Sequence, residues 1–474
     1  MTSSYKKPFK TVSEQIEILS SRGMHIDDEA TAAQNLQNIG YYRLSGYWYP
    51  YRREILGPSP DPKFPLLPRS SIFKPNTNFK NVIHLYEMDR KLKLLVLDGL
   101  ERIEVAMRFQ VGHVLGEGHA YAHCDQTRLS SAFTGVTDVE DPLEREGWLT
   151  SEHAKWLSKV RRQENDSKEE FVKHFKSNYG GALPVWVVTE ILDFGGISTL
   201  YGGLKQNHRD QIAESLGFEV QARGDGTSLA SWMKNLNFIR NTCAHHARLW
   251  NKNITVQGTE LDEIPDLKHA SVSRDRIYAS LAVIAHILIR SCPEATWRQD
   301  VREFIIQSSQ VAEPARMGFP DNWEAERIWD PQYRPKVDPV LSQRRKLRNK
   351  FECIQSSEVG LLISPHGSRK EANNMVRSLR SQSSLLALQL ENGSQAYFPL
   401  FQFDPDQKRI NPAVEYINQR LEVRKDPWGA AHWWQSPHDS LEGNTPLHSA
   451  MNGDLTKSMA QILIPESSVE KPAR

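Results

Sequence analysis

Hydrophobic residues along the chain recur mostly at intervals of three and four, which is the spacing of a buried helical face. The longest such row begins at Val82, Leu85 and Met88 and continues to Gln110, with charged residues mostly between its members. This pattern predicts one long bundle helix over 79–116. Similar patterns predict further helices at 12–22, 28–39, 150–176, 184–192, 197–216, 227–246 and 271–291, with Phe194-Gly195-Gly196 breaking the chain between two of them.

The pattern changes after Pro331. Residues 331–350 contain three prolines and seven lysines or arginines against a single acid, which indicates a linker or a short basic helix. Beyond this stretch we predict short strands at 360–363 and 396–401 and helices at 368–380, 411–423 and 427–434. The expected fold is mainly α, with an all-α helical bundle (1–335), a basic linker (336–350) and a smaller α+β domain (351–474). The six prolines of 54–78 predict a loop there.

Composition restricts the cellular setting. The 474 residues carry a net charge of +1, and 39% are hydrophobic, so the chain can form real cores and is not a polycation. Its four cysteines lie far apart without a C-x-x-C pair, which disfavours a disulfide framework or a thiolate zinc site. The first residues lack an apolar signal region, and no run approaches 18 apolar residues. We therefore expect a cytoplasmic protein without membrane association.

His119 and His123, together with Cys124 and Asp125, form a conceivable metal cluster. Two glycines nearby disfavour a helix that would align the histidines, and no second pair of ligands accompanies them. We predict neither a metal nor another cofactor.

The best candidate for chemistry is the stretch Arg240-Asn241-Thr242-Cys243-Ala244-His245-His246, which closes a predicted helix. Arg240 and His245 are five residues apart, about 140° around a helix axis, so both side chains can reach one cleft. Arginine holds a phosphate by paired hydrogen bonds, and histidine exchanges protons near neutral pH. The pair suits phosphodiester cleavage. The alternative is structural: a surface arginine, a helix-ending asparagine and a histidine packed near the turn.

Aromatic residues and arginines alternate over 41–52. One interpretation is a stacking surface for unpaired RNA bases in which Tyr42, Arg43 and Tyr47 take part. The alternative is that the aromatic rings pack the first helices onto the bundle. Arg102, in the charged rows of the long helix, belongs either to a solvated face or to a polar cleft that contacts RNA.

Six blocks of residues 1–330 resemble the Abi-like (AbiD/AbiF-type) family of phage abortive-infection proteins. They are NIGYYRLSGY (38–47), LYEMDRKL (85–92), LERIE (100–104), FGGIS (194–198), RNTCAHHARLWN (240–251) and GFPDNW (318–323). This family is similar to the HEPN superfamily, whose Arg-polar-spacer-His motif corresponds here to Arg240, Asn241 and His245. The resemblance implies an all-α bundle and a metal-independent endoribonuclease.

The same resemblance implies a role for each motif residue. Arg240 would bind the scissile phosphate, His245 would transfer protons, and Asn241 would orient His245 or hold the ribose. His246 and Arg248 are possible accessory residues. One motif supplies one arginine and one histidine, so we expect a symmetric homodimer that presents two copies.

The C-terminal part is similar to the toxin-binding domain of Xre/MbcA/ParS-type antitoxins. The matching blocks are FPLFQF (398–403), DPWGAAHWW (426–434), SPH (436–438), LEGNTPL (441–447) and NGD (452–454). Together the two resemblances predict a phage-defence ribonuclease toxin with a fused antitoxin-like domain. The expected partner of the protein is an RNA substrate or a small non-coding RNA. The alternatives are a non-catalytic RNA-binding scaffold, and an adaptor that captures a toxin or antitoxin protein through 351–474.

Overall fold

The computed structural model describes residues 8–55, 69–135, 151–220, 223–336, 338–364, 368–391, 395–404 and 409–464. The chain is mainly helical with short antiparallel strands, which confirms the predicted fold class. The α-helices of the described residues are, in chain order, α1 (Val12–Ser21), α2 (Glu29–Ile39), α3 (Tyr41–Trp48), α4 (Phe79–Gly116), α5 (Ser131–Thr134), α6 (Glu152–Asp166), α7 (Glu170–Asn178), α8 (Val185–Ile191), α9 (Phe194–Gly203), α10 (Gln206–Ser215), α11 (Gly226–Ala244), α12 (Ile277–Ser291), α13 (Trp297–Ser308), α14 (Pro339–Arg348), α15 (Ser356–Ile363), α16 (Arg369–Ser381), α17 (Pro412–Arg420), α18 (Pro427–Gln435), α19 (Pro446–Met451) and α20 (Lys457–Leu463).

All strands of the described residues are short and pair in antiparallel fashion. They are β1 (Arg52–Glu54), β2 (Arg69–Phe73), β3 (Glu219–Val220), β4 (Arg223–Gly224), β5 (Cys353–Ile354), β6 (Leu388–Gln389), β7 (Ala396–Pro399), β8 (Phe403–Asp404) and β9 (Arg409–Ile410). β1 pairs with β2, β3 with β4 and β8 with β9, while β5, β7 and β6 form a three-stranded sheet in that order.

The chain divides into two compact units. Unit 1 comprises Met1–Gly116, Trp156–Leu200 and Ala230–Tyr333, and unit 2 comprises Glu117–Lys155, Tyr201–Leu229 and Arg334–Arg474. The predicted domains, 1–335 and 351–474, are segments that we expect to fold independently. This division stays a prediction.

Unit 1 is built around α4, a helix of 38 residues that packs against α3, α8, α12 and α13. Two glycines of α4 permit the close approach of its neighbours. A Cβ atom on Gly99 would lie 2.7 Å from the Trp297 ring, and one on Gly112 would lie 2.8 Å from the Thr189 hydroxyl. Larger residues at these positions would push the helices apart, because a packed interior leaves no room for an added methyl group.

Unit 2 contains two apolar cores in its C-terminal part, one around Val414, Ile417 and Trp434 and one around Val359, Val376 and Phe398. A buried amide network joins elements of the first core. The Gln402 side chain accepts from the Leu386 N–H at 2.7 Å, and Asn418 donates to Gln402 at 3.0 Å. The Trp434 indole N–H donates to Asn418 at 3.1 Å. Because each polar group finds a partner, the network does not leave unpaired groups in the core.

Several sequence predictions need correction. Residues 360–363 were expected to be a strand but belong to α15, which the Gln355–Glu358 capping box begins. A short apolar run fits either structure, and here the close contact of Gly360 with Ala372 on α16 accompanies the helix. The Phe194-Gly195-Gly196 segment begins α9 rather than breaking a helix; the break lies at Leu192 and Asp193. Part of the predicted 54–78 loop forms β2, while residues 56–68 lie outside the described residues.

His208 on α10 gives a pH-dependent test of unit 2. Burial, followed by the charges of Lys205 and Arg128, lowers its pKa from 6.5 to about 4. The unfolded chain therefore binds a proton between pH 6.5 and 4 that the folded chain does not, so stability falls as pH falls through this window. His208→Gln should reduce the slope of unfolding free energy against pH there by up to about 1.4 kcal/mol per pH unit. Urea unfolding from pH 7 to 4 measures the slope, and equal slopes for both proteins would contradict the assignment.

Candidate functional site

The candidate motif lies at the end of α11, whose apolar side is fully buried. Trp232, Met233, Leu236 and Ile239 have no exposed surface, so tertiary packing fixes the helix. Asn235 is also buried: it accepts from the Ser280 hydroxyl at 2.9 Å and donates to the Val256 carbonyl at 2.7 Å. These contacts hold the helix that carries Arg240 and Asn241 in a single rotational setting.

The helix ends at Ala244, two residues before the sequence pattern indicated. The His246 N–H bonds to the Cys243 carbonyl and the Ala247 N–H to the Thr242 carbonyl, both at 3.0 Å, with His246 at φ +56°. This is a Schellman ending, in which the left-handed position commonly holds glycine. Because His246 occupies this position, the glycine that usually marks a helix end is absent from the sequence. His245 therefore lies at the helix end and not one full turn inside it, and its side chain is exposed.

The turn that follows the motif is held against α4 by one buried carboxylate. Asp89 on α4 has no exposed surface, and its Oδ1 accepts from the Leu249 N–H at 3.1 Å and the Trp250 N–H at 2.5 Å. Its Oδ2 accepts from the Tyr47 hydroxyl at 2.7 Å. Lys93 lies 3.2 Å from the same oxygen. The charge is therefore paired and hydrogen-bonded, as a buried carboxylate requires.

Three cations, one of them the Lys93 already described, connect the turn to α3 and α4. Lys93 donates to the Ala247 carbonyl at 3.3 Å, and Arg43 donates to the His246 carbonyl at 2.5 Å. Arg248 donates to the Gly46 carbonyl on α3. These bonds hold the backbone that follows His245 in place, while the imidazole remains accessible.

Arg240 lies in a cluster of charged groups within unit 1. Its guanidinium donates to the Asn241 side chain at 3.4 Å, and it lies close enough to Glu104 and Asp193 for its charge to act on both carboxylates. Glu104 binds Arg108 at 2.6 Å, and Asp193 binds Lys159 at 2.8 Å. The cluster around the half-buried Arg240 thus contains two further cations and two carboxylates.

The two carboxylates of this cluster have opposite pKa shifts. Burial raises the pKa of Glu104 above its usual value, against the opposing charges of Arg108 and Arg240. Burial also acts to raise the pKa of Asp193, but hydrogen bonds from Lys159 and the Gly196 N–H hold it below its usual value. Environments that separate two carboxyl pKa values are frequent at functional sites, although structural ion pairs produce them as well.

The structure separates the predicted RNA contacts into exposed and buried residues. Tyr42 is 81% exposed, and both Arg43 and Arg102 are exposed, with Arg102 paired to Asp98 at 3.3 Å. Tyr47 is only 1% exposed and binds Asp89, so the prediction of an RNA contact for Tyr47 is wrong: its ring belongs to the packing of α3 on α4.

Arg248, predicted as an accessory residue, has a structural position. It is half-buried against Gly46, and burial lowers its pKa below the usual arginine value. His246 is exposed and contributes its backbone carbonyl to Arg43. Asn241, expected to orient His245 or hold the ribose, accepts from Arg240 through its side chain, and its backbone carbonyl accepts from the His245 N–H at 3.0 Å.

Sequence reasoning missed the supporting residues, above all Asp89 and Lys93. Asp89 is one of the charged residues of α4, yet it follows Val82 and Leu85 at helical spacing and precedes Leu92. A charged residue at a core position of a helix is a signal for a buried polar contact. Glu104 and Arg108 form an i,i+4 pair of the kind common on solvated helix faces, and Lys159 and Asp193 are distant in sequence, so none of them gave a comparable signal.

Among the described residues, no group of three or more histidines, cysteines or acids could hold a metal ion. His119 lies 4.0 Å from Asp125 across an ion pair, and His123 is buried, which lowers its pKa to about 4. Within the same described ranges, every helix is too short or too polar to cross a membrane.

The fold and site define a mainly helical protein with an exposed histidine and a clustered arginine at the end of one helix. Residues 34–251 match the family model of Abi-like proteins, a span just under half of the chain that includes the motif and α4. This match supports the Abi-like family and suggests a part in abortive-infection phage defence. No curated protein matches the chain, and no solved structure does.

Proposed function

We propose that the protein is a phage-defence toxin of the HEPN type that acts as a metal-independent endoribonuclease in the cytoplasm. The observation that carries the proposal is the arrangement at the end of α11, where the exposed His245 precedes a turn anchored by Asp89 and the half-buried Arg240 lies among charged groups. Rigid support beneath an accessible acid–base group is what catalysis needs, because precise placement supplies much of the rate.

The chemistry uses a nucleophile that RNA itself contains. A histidine removes the proton of the ribose 2′-OH, the 2′-oxygen forms a bond to phosphorus, and the bond from phosphorus to the 5′-oxygen breaks. A second proton carrier protonates the departing 5′-oxygen. The products are a 2′,3′-cyclic phosphate and a 5′-hydroxyl. Arg240 would stabilise the charge that grows on the phosphoryl oxygens, and Asn241 would orient the guanidinium of Arg240.

One motif provides one histidine, so the proposal includes a homodimer that presents two across a two-fold axis. Exposed apolar residues in a row on one side of α4 support this part. Leu94 and Val105 are each 55% exposed and Phe109 is 63% exposed, and they share this side of the helix with the exposed pair of Asp98 and Arg102. Glu104 and Arg108, at the edge of this row, belong to the charged cluster of Arg240. A second copy covering the row would therefore approach the proposed site.

The C-terminal part is proposed to regulate the nuclease as an antitoxin-like domain. Support comes from an apolar groove in unit 2 of about 510 Å³ whose lining includes Phe401, Phe403, Leu447 and Met451. Phe401 and Phe403 belong to one of the sequence blocks that resemble toxin-binding domains. Such a groove can bind another protein. It can also bind a segment of the same chain and thereby regulate the nuclease.

The test compares an RNA oligonucleotide with the same oligonucleotide carrying 2′-deoxyribose at every position, both in excess chelator. We expect cleavage of the RNA with cyclic phosphate ends and no cleavage of the deoxy form, because the nucleophile is missing. Mass spectrometry of the products identifies the ends. Cleavage of both substrates, or loss of cleavage in chelator, would contradict the mechanism. RNA binding without any cleavage would favour the non-catalytic scaffold.

A further inference from the structure

A second candidate site lies in unit 1, away from the charged cluster of Arg240. It is a cavity of about 380 Å³ whose walls include Tyr51, Lys74, Asn81, Trp250 and Arg316. This volume falls within the range of small-molecule sites and exceeds what a single ion needs. Its lining combines aromatic rings, amides and two cations with one acid, Glu313.

The amino-terminal end of α4 opens into this cavity. Asn78 precedes the helix and accepts from the Lys80 N–H at 2.7 Å, and Asn78, Asn81 and Val82 all line the cavity. The helix has 38 residues, and its first turn contains no acidic residue. The partial positive charge of the helix end adds to the charges of Lys74 and Arg316, while Asp27, which accepts from the Asn78 amide at 2.8 Å, and Glu313 oppose it.

Arg316 and Lys74 are each partly held by an acid. The Arg316 Nε binds Glu313 at 2.9 Å, and Lys74 lies 3.8 Å from Glu54. The Arg316 side chain is 36% exposed and the Lys74 side chain is 44% exposed, so both can turn toward an arriving anion. Burial raises the pKa of Tyr51, and the charge of Arg316 opposes this rise. The guanidinium and the phenol therefore lie close together.

A buried donor in the cavity wall supplies an independent observation. Trp250 is only 1% exposed, and its indole N–H has no hydrogen-bond partner among the residues that the structure describes. Buried donors without a partner are uncommon because they lose the bond that water would provide. The indole nitrogen has almost no accessible surface of its own, so a ligand oxygen or nitrogen in the cavity reaches it only when the ring moves. The Trp250 backbone N–H is itself bound to Asp89, so the wall has a fixed position.

We propose that this cavity binds a single ribonucleotide, with its phosphate between the start of α4, Lys74 and Arg316 and its base against Tyr51. Asparagine amides carry both donors and acceptors, as the edge of a base requires. Phosphate is matched by two cations and a helix end. The nucleotide is either free in solution or one residue of a longer RNA. The inference goes beyond the proposed cleavage and does not depend on it.

The experiment measures binding to the full-length protein by isothermal titration calorimetry. The probes are AMP, inorganic phosphate and a six-nucleotide single-stranded RNA, the last with the His245→Ala protein so that the RNA stays intact. We expect saturable binding of AMP, or of the RNA if the nucleotide belongs to a longer strand, and weaker binding of phosphate. Arg316→Ala and Lys74→Glu should each weaken nucleotide binding about tenfold or more.

Arg90→Ala is the matched control, since Arg90 forms the same type of pair with Glu87, three residues apart at 2.9 Å, on an exposed face outside the cavity. It should bind as the parent does. Thermal unfolding checks that each variant folds, and Lys74→Glu decides the matter if Arg316→Ala is unstable. Absence of binding by both AMP and RNA, unchanged binding in both cavity variants, or phosphate binding as tight as AMP would overturn the proposal. Nucleotide binding by Arg240→Ala at parental strength would show that it stands apart from cleavage.

Discussion

Replacing His245 with alanine is expected to lower the rate constant of RNA cleavage by roughly 10²- to 10⁴-fold, the usual contribution of a positioned acid or base. The imidazole is exposed at the end of α11, so its removal leaves the buried core untouched. Growth arrest on expression should disappear together with cleavage. Single-turnover cleavage of a labelled RNA measures the rate constant, and RNA affinity measured separately should change little.

His25→Ala provides the control for this experiment. His25 also lies in unit 1, its side chain is 69% exposed, and it pairs with Asp27 rather than with the motif. Cleavage at the parental rate is expected from that variant. Arg240→Ala should resemble His245→Ala in cleavage while also weakening substrate binding, because a phosphate contact is lost. Full activity of His245→Ala would remove the nuclease proposal.

Replacing Asp89 with alanine is expected to reduce the free energy of unfolding by roughly 3–5 kcal/mol, because it leaves Lys93 buried without its counter-charge. The change also removes the acceptor of the Leu249 and Trp250 N–H groups and of the Tyr47 hydroxyl. The turn after the motif should then move relative to α4, and cleavage should fall as well. Urea denaturation gives the stability, and hydrogen exchange of the 245–250 amides reports on the turn.

Asp98→Ala separates this effect from a general loss of negative charge on α4. Asp98 pairs with Arg102 four residues later, as Asp89 pairs with Lys93, but its side chain is 46% exposed. Exposed pairs of this kind contribute at most about 1 kcal/mol. Similar losses of stability in the two variants would show that Asp89 does not anchor the turn.

The sequence allowed the prediction of most helices of unit 1, because their apolar rows and caps are local features. The bounds of α4 agree with the predicted 79–116, and α1 begins at a capping box of Thr11 with Glu14. Breaks without a glycine or proline signal were missed. The end of α11 depends on His246 at positive φ, and the break between α8 and α9 comes before the Gly195-Gly196 pair, not at it.

The candidate site was predictable only in its local part. Arg240, Asn241 and His245 stand close together in sequence, and their residue types indicate the chemistry directly. The supports of the site come from residues that are far apart in the chain, such as Asp89, which lies 160 positions before Leu249. Contacts over such separations depend on how the helices pack, which a pattern of apolar positions does not specify.

The mixture of charges around Arg240 has a consequence for the cell. Glu104 and Asp193 offset much of the positive charge in that cluster, so a stray polyanion gains little by approaching it. A nuclease arranged in this way would leave most host transcripts alone until another surface brings one to it. Under the proposed function, dormancy would then be a property of the resting charge balance itself.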